Sequence, residues 1–311
     1  MSTIDFHEML LAAKKNAKLT ARSSSKLPTT LQGNTANTSN IRAIATIQTL
    51  LFATKYLHPD YCTYLVQEFE KFSDWHQVGG RQVALFGGVP HPSGAICEPL
   101  PPWLNPVAEL LKPYFDDHAP DQVLLNRYQP DQGIEFHNDG PLYESTAAII
   151  SFNADDVIRF RRAPVTTTTT NAATESSPTT NNAPADDIRI FLPKNSLLVV
   201  SNLAYTDYLH GIIPAGLSHS MSVTSQPNSI LSISDCVNSD LLDGSEINSS
   251  SQIPSQKVLI PARSQVRYSL TFRRLKHVSK PADEFGPCSS EERAETLRRK
   301  LWWLKSISDI T

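Results

Sequence analysis

Long apolar runs, paired cysteines and a dominant sign of charge are all missing from this 311-residue chain. Nowhere do about 18 uncharged apolar residues follow one another, so no membrane-spanning helix and no membrane partner are expected. The first residues carry no apolar leader-like run, and residence in the nucleus, the cytoplasm or both is expected. The four cysteines, Cys62, Cys97, Cys236 and Cys288, lack CxxC spacing. Each reads as a reduced thiol in an intracellular protein. With 28 basic and 31 acidic side chains the formal charge is −3. Any contact with a polyanion must therefore rest on a local patch.

What is present divides the chain into three parts. Residues 1–40 form a tail rich in Ser, Thr, Asn and Lys, with a short helix expected at 4–17. Such a composition cannot offset the entropy of ordering, and the tail reads as disordered. A globular domain follows over 41–277, and a helical extension over 278–311. Tyr61–Phe72 and Pro102–Phe115 have helical spacing of apolar residues, and the Gly79-Gly80 pair ends a helix or opens a turn. In the extension, Ser289 and Glu292 form a capping box ahead of a helix at 290–307. Its Trp302 and Trp303 are expected to pack on the domain. Both terminal helices could also dock a protein partner, and the chain is expected to be a monomer.

From Gln122 onward the texture changes. QVLLNRYQ, AAIISF, DVIRFRR, IRIFL, SLLVVS and RYSLTFRR are short apolar or alternating runs separated by turn residues. This mainly β pattern with flanking helices points to a sandwich or barrel, not to a parallel α/β sheet. Two low-complexity insertions, 165–187 and 218–256, interrupt the strands and are expected to be mobile loops.

Candidate chemistry sits in three of these segments. In GIEFHNDG, residues 133–140, His137 and Asp139 lie two apart on an extended strand and project to one face. In AYTDYLHGI, His210 follows a buried-looking strand. Two histidines and one carboxylate from separate strands match the facial triad of non-haem iron sites. His118, His219 and His277 are competitors that periodicity does not exclude. In RYSLTFRR, Arg267, Ser269, Thr271 and Arg273 share one face, as they would on a half-buried surface strand. Two guanidinium groups flanking two hydroxyls also suit a dicarboxylate. On an ideal strand the two arginines stand roughly 20 Å apart, so they must lean together or the strand must bend. Asn126 and Tyr128 share a face and offer neutral hydrogen bonds beside them.

NRYQPDQGIEFHNDGPLY, the distal LHGI and RYSLTFRR together resemble the AlkB-type Fe(II)/2-oxoglutarate dioxygenases. GGVPHPSG, LPPWL and AYTDYLHGI look most like the branch of the sixth AlkB homologue. The likeness extends over about residues 75–277, broken by the insertions. It implies a double-stranded β-helix, a jelly-roll or cupin-like core. It implies His137, Asp139 and His210 as Fe(II) ligands. Arg273 would meet the 2-oxoglutarate C1 carboxylate and Arg267 the C5 carboxylate, with Asn126, Tyr128 and Ser269 completing the pocket. Many relatives carry Asn where Ser269 stands, which makes that assignment the weakest. Fe(II), 2-oxoglutarate and O2 are the implied cofactors, and the implied reaction is oxidative N-dealkylation of DNA or RNA bases.

Two other classes stay open: a dioxygenase acting on a protein or small molecule, and a catalytically silent metal-binding interaction module. A zinc site in a cupin-like barrel would leave the two-arginine strand without a task. Arg81, His91 and Tyr143 lie in segments that could border the substrate mouth. Arg159, Arg161 and Arg162 could contact phosphates or simply deter edge pairing.

Overall fold

The computed structural model describes residues 40–164, 187–213, 231–242, 258–280 and 289–308. All but the last residue of the expected tail, and most of both insertions, lie outside the described residues. In chain order, β1 (Arg42–Ile44) and β2 (Ile47–Ala53) precede helix α1 (Pro59–Lys71). Then come β3 (His76–Val78), β4 (Arg81–Gly87), β5 (Ala95–Ile96) and α2 (Asn105–Leu111). The six apolar runs become β6 (Gln122–Tyr128), β8 (Tyr143–Phe152), β9 (Asp156–Arg162), β10 (Ile188–Leu192), β11 (Leu197–Ser201) and β13 (Arg267–Leu275). Among them stand β7 (Ile134–His137), the short helix α3 (Asn202–Thr206) and β12 (Tyr208–Ile212). The chain closes with β14 (Val278–Lys280) and α4 (Ser290–Ser308).

Two antiparallel sheets face each other. The larger runs β1-β2-β11-β8-β13-β6-β4-β3 and the smaller β10-β9-β12-β7. From β6 to β13 the chain crosses repeatedly between them: β6 large, β7 small, β8 large, β9 and β10 small, β11 large, β12 small, β13 large. That winding is the double-stranded β-helix, and two packed sheets leave an interior for side chains of alternating parity.

The large sheet buries both faces. Its outer face is covered by α1, whose Tyr61, Leu65 and Phe69 recur at i, i+4 and i+8 and pack with Leu125, Leu270 and Phe272. Each such fully buried side chain contributes about 1.5–3 kcal/mol. Pro59 opens α1, where its missing N–H costs nothing, and the His58 ring accepts the Asp60 N–H at 3.3 Å. The inner face meets the small sheet through Ile149, Ile158, Phe160, Ile190 and Leu198. Strand β13 therefore is not half exposed, because Arg267, Ser269, Thr271 and Arg273 are as buried as Tyr268, Leu270 and Phe272.

Several expectations need adjusting. Gly79 and Gly80 form the β3–β4 hairpin turn, with Gly79 at φ 52°, while α1 ends earlier at Lys71. The helix expected over 102–115 is shorter, because Pro113 cannot continue it and a 3₁₀ turn takes over at Lys112–Tyr114. In α4 the capping box forms as read, with Ser289 Oγ accepting the Glu292 N–H at 3.1 Å. Trp303 is buried against Val78 and Leu124, while Trp302 is 38% exposed and meets the His91 ring at 4.8 Å. Among the described residues no helix is long and apolar enough to cross a membrane.

The largest correction concerns residues 231–242, which were expected to belong to a mobile loop. They form two 3₁₀ turns whose Ile233 and Cys236 pack with Val157 and Phe191. Asn238 is fully buried and works as a peptide mimic. Its side chain accepts the Phe191 N–H at 2.9 Å and donates to the Phe191 carbonyl at 2.8 Å. It thereby satisfies the backbone of β10 where no further strand pairs. Low complexity around this stretch hid six well-spaced apolar residues, Leu231, Ile233, Cys236, Val237, Leu241 and Leu242. Asn238→Ala leaves both groups of Phe191 unpaired and should destabilise the fold by about 2–4 kcal/mol in chemical denaturation. A loss below about 0.5 kcal/mol would mean the segment is not anchored through this residue.

Candidate metal and cosubstrate site

His137 ends β7, Asp139 follows two residues later, and His210 lies on β12 directly opposite His137 in the strand register. Their rings stand 4.5 Å apart between centroids. One donor atom from each of the three residues lies within 4.8 Å of the others. Of the competitors, His118 and His277 are exposed and stand outside this cluster, and His219 lies outside the described residues.

The chemistry of the three donors fits a divalent metal. His137 Nδ1 stands 2.8 Å from the Glu135 carbonyl oxygen. A carbonyl only accepts, so Nδ1 carries the proton and Nε2 keeps its lone pair for a metal. Burial, and then the neighbouring histidine, hold His137 well below the ordinary imidazole range; burial does the same for His210. Both rings are thus neutral at pH 7. Burial alone would raise the Asp139 carboxyl, but the charge of Arg273 and its hydrogen bond keep it ionised, well below the usual carboxylate range. Asp139 Oδ1 accepts a short hydrogen bond from Arg273, while its Oδ2 is buried without a protein partner. A buried carboxylate oxygen without a partner is costly, and a bound cation removes that cost.

Arg267 and Arg273 both line the cavity that holds the three donors, as do Asn126, Tyr128, Ser269 and Thr271. The two arginines reach a common cavity because the β-helix encloses their face of β13. Arg267 Nη2 donates to Ser151 Oγ at 2.8 Å, yet its Nε and Nη1 are buried without partners, as is Arg273 Nε. Ser269 Oγ accepts a hydrogen bond of 3.4 Å from Asn126 Nδ2 and so joins this wall. Ile134, Ile149, Ile158 and Leu192 supply the apolar side.

Of the three residues expected near the mouth, Arg81 is the one that lines the cavity. It is buried in the cavity wall, donates from Nε to Asn126 Oδ1 at 3.0 Å and leaves Nη1 unpaired. Tyr143 is buried, with its ring 5.0 Å from the Arg273 guanidinium carbon. His91 does not line the cavity but meets α4. In the basic cluster, Arg159 and Arg161 lie near Asp187 together with Arg189. Arg161 also stacks 4.1 Å over Phe136, and Arg162 stays exposed. Arg81, expected to border the mouth, lines the cavity itself, while Arg263 behind Tyr128 was not singled out by sequence reasoning.

Gly211 sets the spacing of β12 and β7, the strands that carry His210 and His137. A Cβ there would lie 2.9 Å from the Ile134 carbonyl oxygen on β7. Gly211→Ala must push β12 from β7 and should weaken Mn(II) binding by about tenfold in calorimetric titration. An unchanged affinity would show that the two histidines do not depend on this close approach.

Residues 55–273 match the family described as the 2OG-Fe(II) oxygenase superfamily. The chain is 31% identical over 168 residues to the "Probable RNA/DNA demethylase ALKBH6" of Danio rerio, covering 51% of this chain and 69% of that protein. Among solved structures, OsALKBH1 aligns at 12% identity with a TM-score of 0.41, over 73% of this chain and 96% of that one. A Pseudomonas putida prolyl-4-hydroxylase aligns at 11% identity with a TM-score of 0.41, over 73% of this chain and 93% of that one. The matched family segment contains every residue of the metal and arginine cluster, and the chain belongs to the 2OG-Fe(II) oxygenase superfamily, on its AlkB-like branch.

Proposed function

We propose that this dioxygenase removes N-linked alkyl groups from nucleic-acid bases, with His137, Asp139 and His210 holding Fe(II) and the two arginines of β13 holding 2-oxoglutarate. One observation carries the reading. Three metal-donor side chains and two arginines with unpaired buried N–H groups share a single cavity. A metal site alone would need no buried guanidinium, and a dicarboxylate site alone would need no histidine pair.

The chemistry that Fe(II), 2-oxoglutarate and O2 supply together is hydroxylation of a C–H bond coupled to oxidative decarboxylation to succinate and CO2. For an N-methyl base, the hydroxylated carbon then leaves as formaldehyde and the nitrogen regains its proton. The protein's task is binding, orientation and exclusion of water. Arg267 offers two free N–H groups to the distal carboxylate. Arg273 keeps Asp139 ionised and faces the C1 end, and Asn126 and Tyr128 orient the cosubstrate between them. The apolar wall of Ile134, Ile149, Ile158 and Leu192 keeps water from the reacting centre.

Support for a nucleic-acid substrate comes from the relative of Danio rerio described as a probable RNA/DNA demethylase. With Arg159, Arg161 and Arg189 gathered around Asp187, the exposed Arg162 is the freest basic side chain of that patch. Binding to an N-methylated single strand should therefore weaken with rising salt along a shallow slope of about one or two phosphate contacts. A salt-independent affinity would favour a protein or small-molecule substrate. Asp139→Ala should abolish succinate formation and lower the melting temperature, because Arg273 loses its buried partner. Arg273→Ala should raise the 2-oxoglutarate requirement by about tenfold or more, read as KM. Wild-type turnover in the first variant would overturn the metal assignment, and an unaltered KM in the second the cosubstrate assignment.

A further inference from the structure

Arg263 does not line the cavity, yet its guanidinium ties together two parts of the site. Its Nη1 donates to Asp156 Oδ2 at 2.9 Å. Its Nη2 donates to the carbonyl oxygens of Gln129 at 2.9 Å, Pro130 at 3.2 Å and Gln132, closing the loop between β6 and β7. The side chain is 5% exposed. The Tyr128 ring lies between two guanidinium carbons, Arg263 at 5.8 Å and Arg267 at 5.4 Å from its centroid.

The geometry at Asp156 is selective. Oδ1 accepts the Val157 N–H at 2.9 Å, and Oδ2 is taken by Arg263. Arg267 Nε stands 3.8 Å from that same Oδ2, within reach of its charge but beyond a hydrogen bond. A buried carboxylate free to approach would close on Arg267 in a bidentate pair, and a ligand would then have to break that pair. Two guanidiniums sharing one carboxylate keep a net positive charge, whereas one guanidinium and one carboxylate keep none.

We propose that Arg263 is a positioning residue: by occupying Asp156 Oδ2 it holds Asp156 off Arg267 and leaves the Nε and Nη1 of Arg267 open to the distal carboxylate of the cosubstrate. The inference rests on the functional reading above and assigns Asp156 and Arg263 to it as an orienting pair.

The test uses the full chain loaded with Fe(II), with 2-oxoglutarate binding followed by calorimetry under argon and turnover followed by succinate release once O2 is admitted. R263Q removes the cation that faces Asp156 and should raise the 2-oxoglutarate Kd and KM by about tenfold, with kcat at saturation within about twofold. R263K keeps a cation on Asp156 but loses most bonds to the 129–132 loop, and should bind within about threefold of wild type. In R263Q/D156N the competing carboxylate is gone, and affinity should recover to within about threefold of wild type. Wild-type affinity in R263Q would overturn the proposal. So would a double variant no tighter than R263Q, or R263K as weak as R263Q, since each makes Arg263 a loop clamp only. Should R263Q not fold, R263K and R263Q/D156N still decide the matter: either one binding much more than threefold weaker than wild type would overturn the proposal. If the wild-type protein itself failed to bind 2-oxoglutarate, the functional reading would fall and this inference with it.

Discussion

Charge placed between two β-sheets must find a partner, and much of this protein's interior is arranged around that requirement. Arg81, Arg267 and Arg273 are all buried in one wall. The anions available to them are few: Asp139 pairs with Arg273, and Asp156 stands near Arg267. The hydroxyl of Ser151 and the amide oxygen of Asn126 take one N–H each. What is left over is positive charge and unpaired donors facing a cavity that also holds a carboxylate oxygen without a partner. A hydrophobic core of this size could have been built from leucines with less cost. The polar lining is therefore a statement about what the cavity is for.

The same requirement explains why the metal donors and the arginines occur on different sheets. The histidines come from the small sheet and the guanidiniums from the large one, so the cavity closes around its contents from opposite walls. Neutral histidines on one side and cations on the other give the interior a polarity that suits a ligand anionic at both ends. Apolar residues from both sheets fill the remaining wall and keep the dielectric low, which strengthens each of these pairings.

The legible part of this architecture was the part written in alternation. His137 with Asp139, Arg267 with Ser269 and Arg273, and Asn126 with Tyr128 are each pairs or sets of the same strand parity, and the structure brings all of them into one cavity. What alternation cannot convey is which parity faces inward, or which strands become neighbours. Hence β13 could be read as a surface strand until its two faces proved equally buried. The bond of Arg81 to Asn126, and Arg263 altogether, escaped for a related reason. Their roles depend on contacts with residues 45 and 107 positions away, Asn126 and Asp156, which no local pattern encodes. The anchoring of 231–242 escaped because serines and asparagines around it masked its apolar residues, and one of those asparagines, Asn238, proved to be structural.

Strand β13 is the last strand of the β-helix in sequence and a central one in space, seated between β8 and β6 with hydrogen bonds to both. During synthesis, β6 and β8 are made more than a hundred residues before the strand that joins them. Until residues 267–275 arrive, each presents an open apolar edge, a template for pairing with other chains. Closure is then a single long-range event that installs the arginines and completes the large sheet together. Assembly order thus makes an intermediate with a finished large sheet but no buried arginines inaccessible: the sheet and the charge in its cavity wall arrive in the same step.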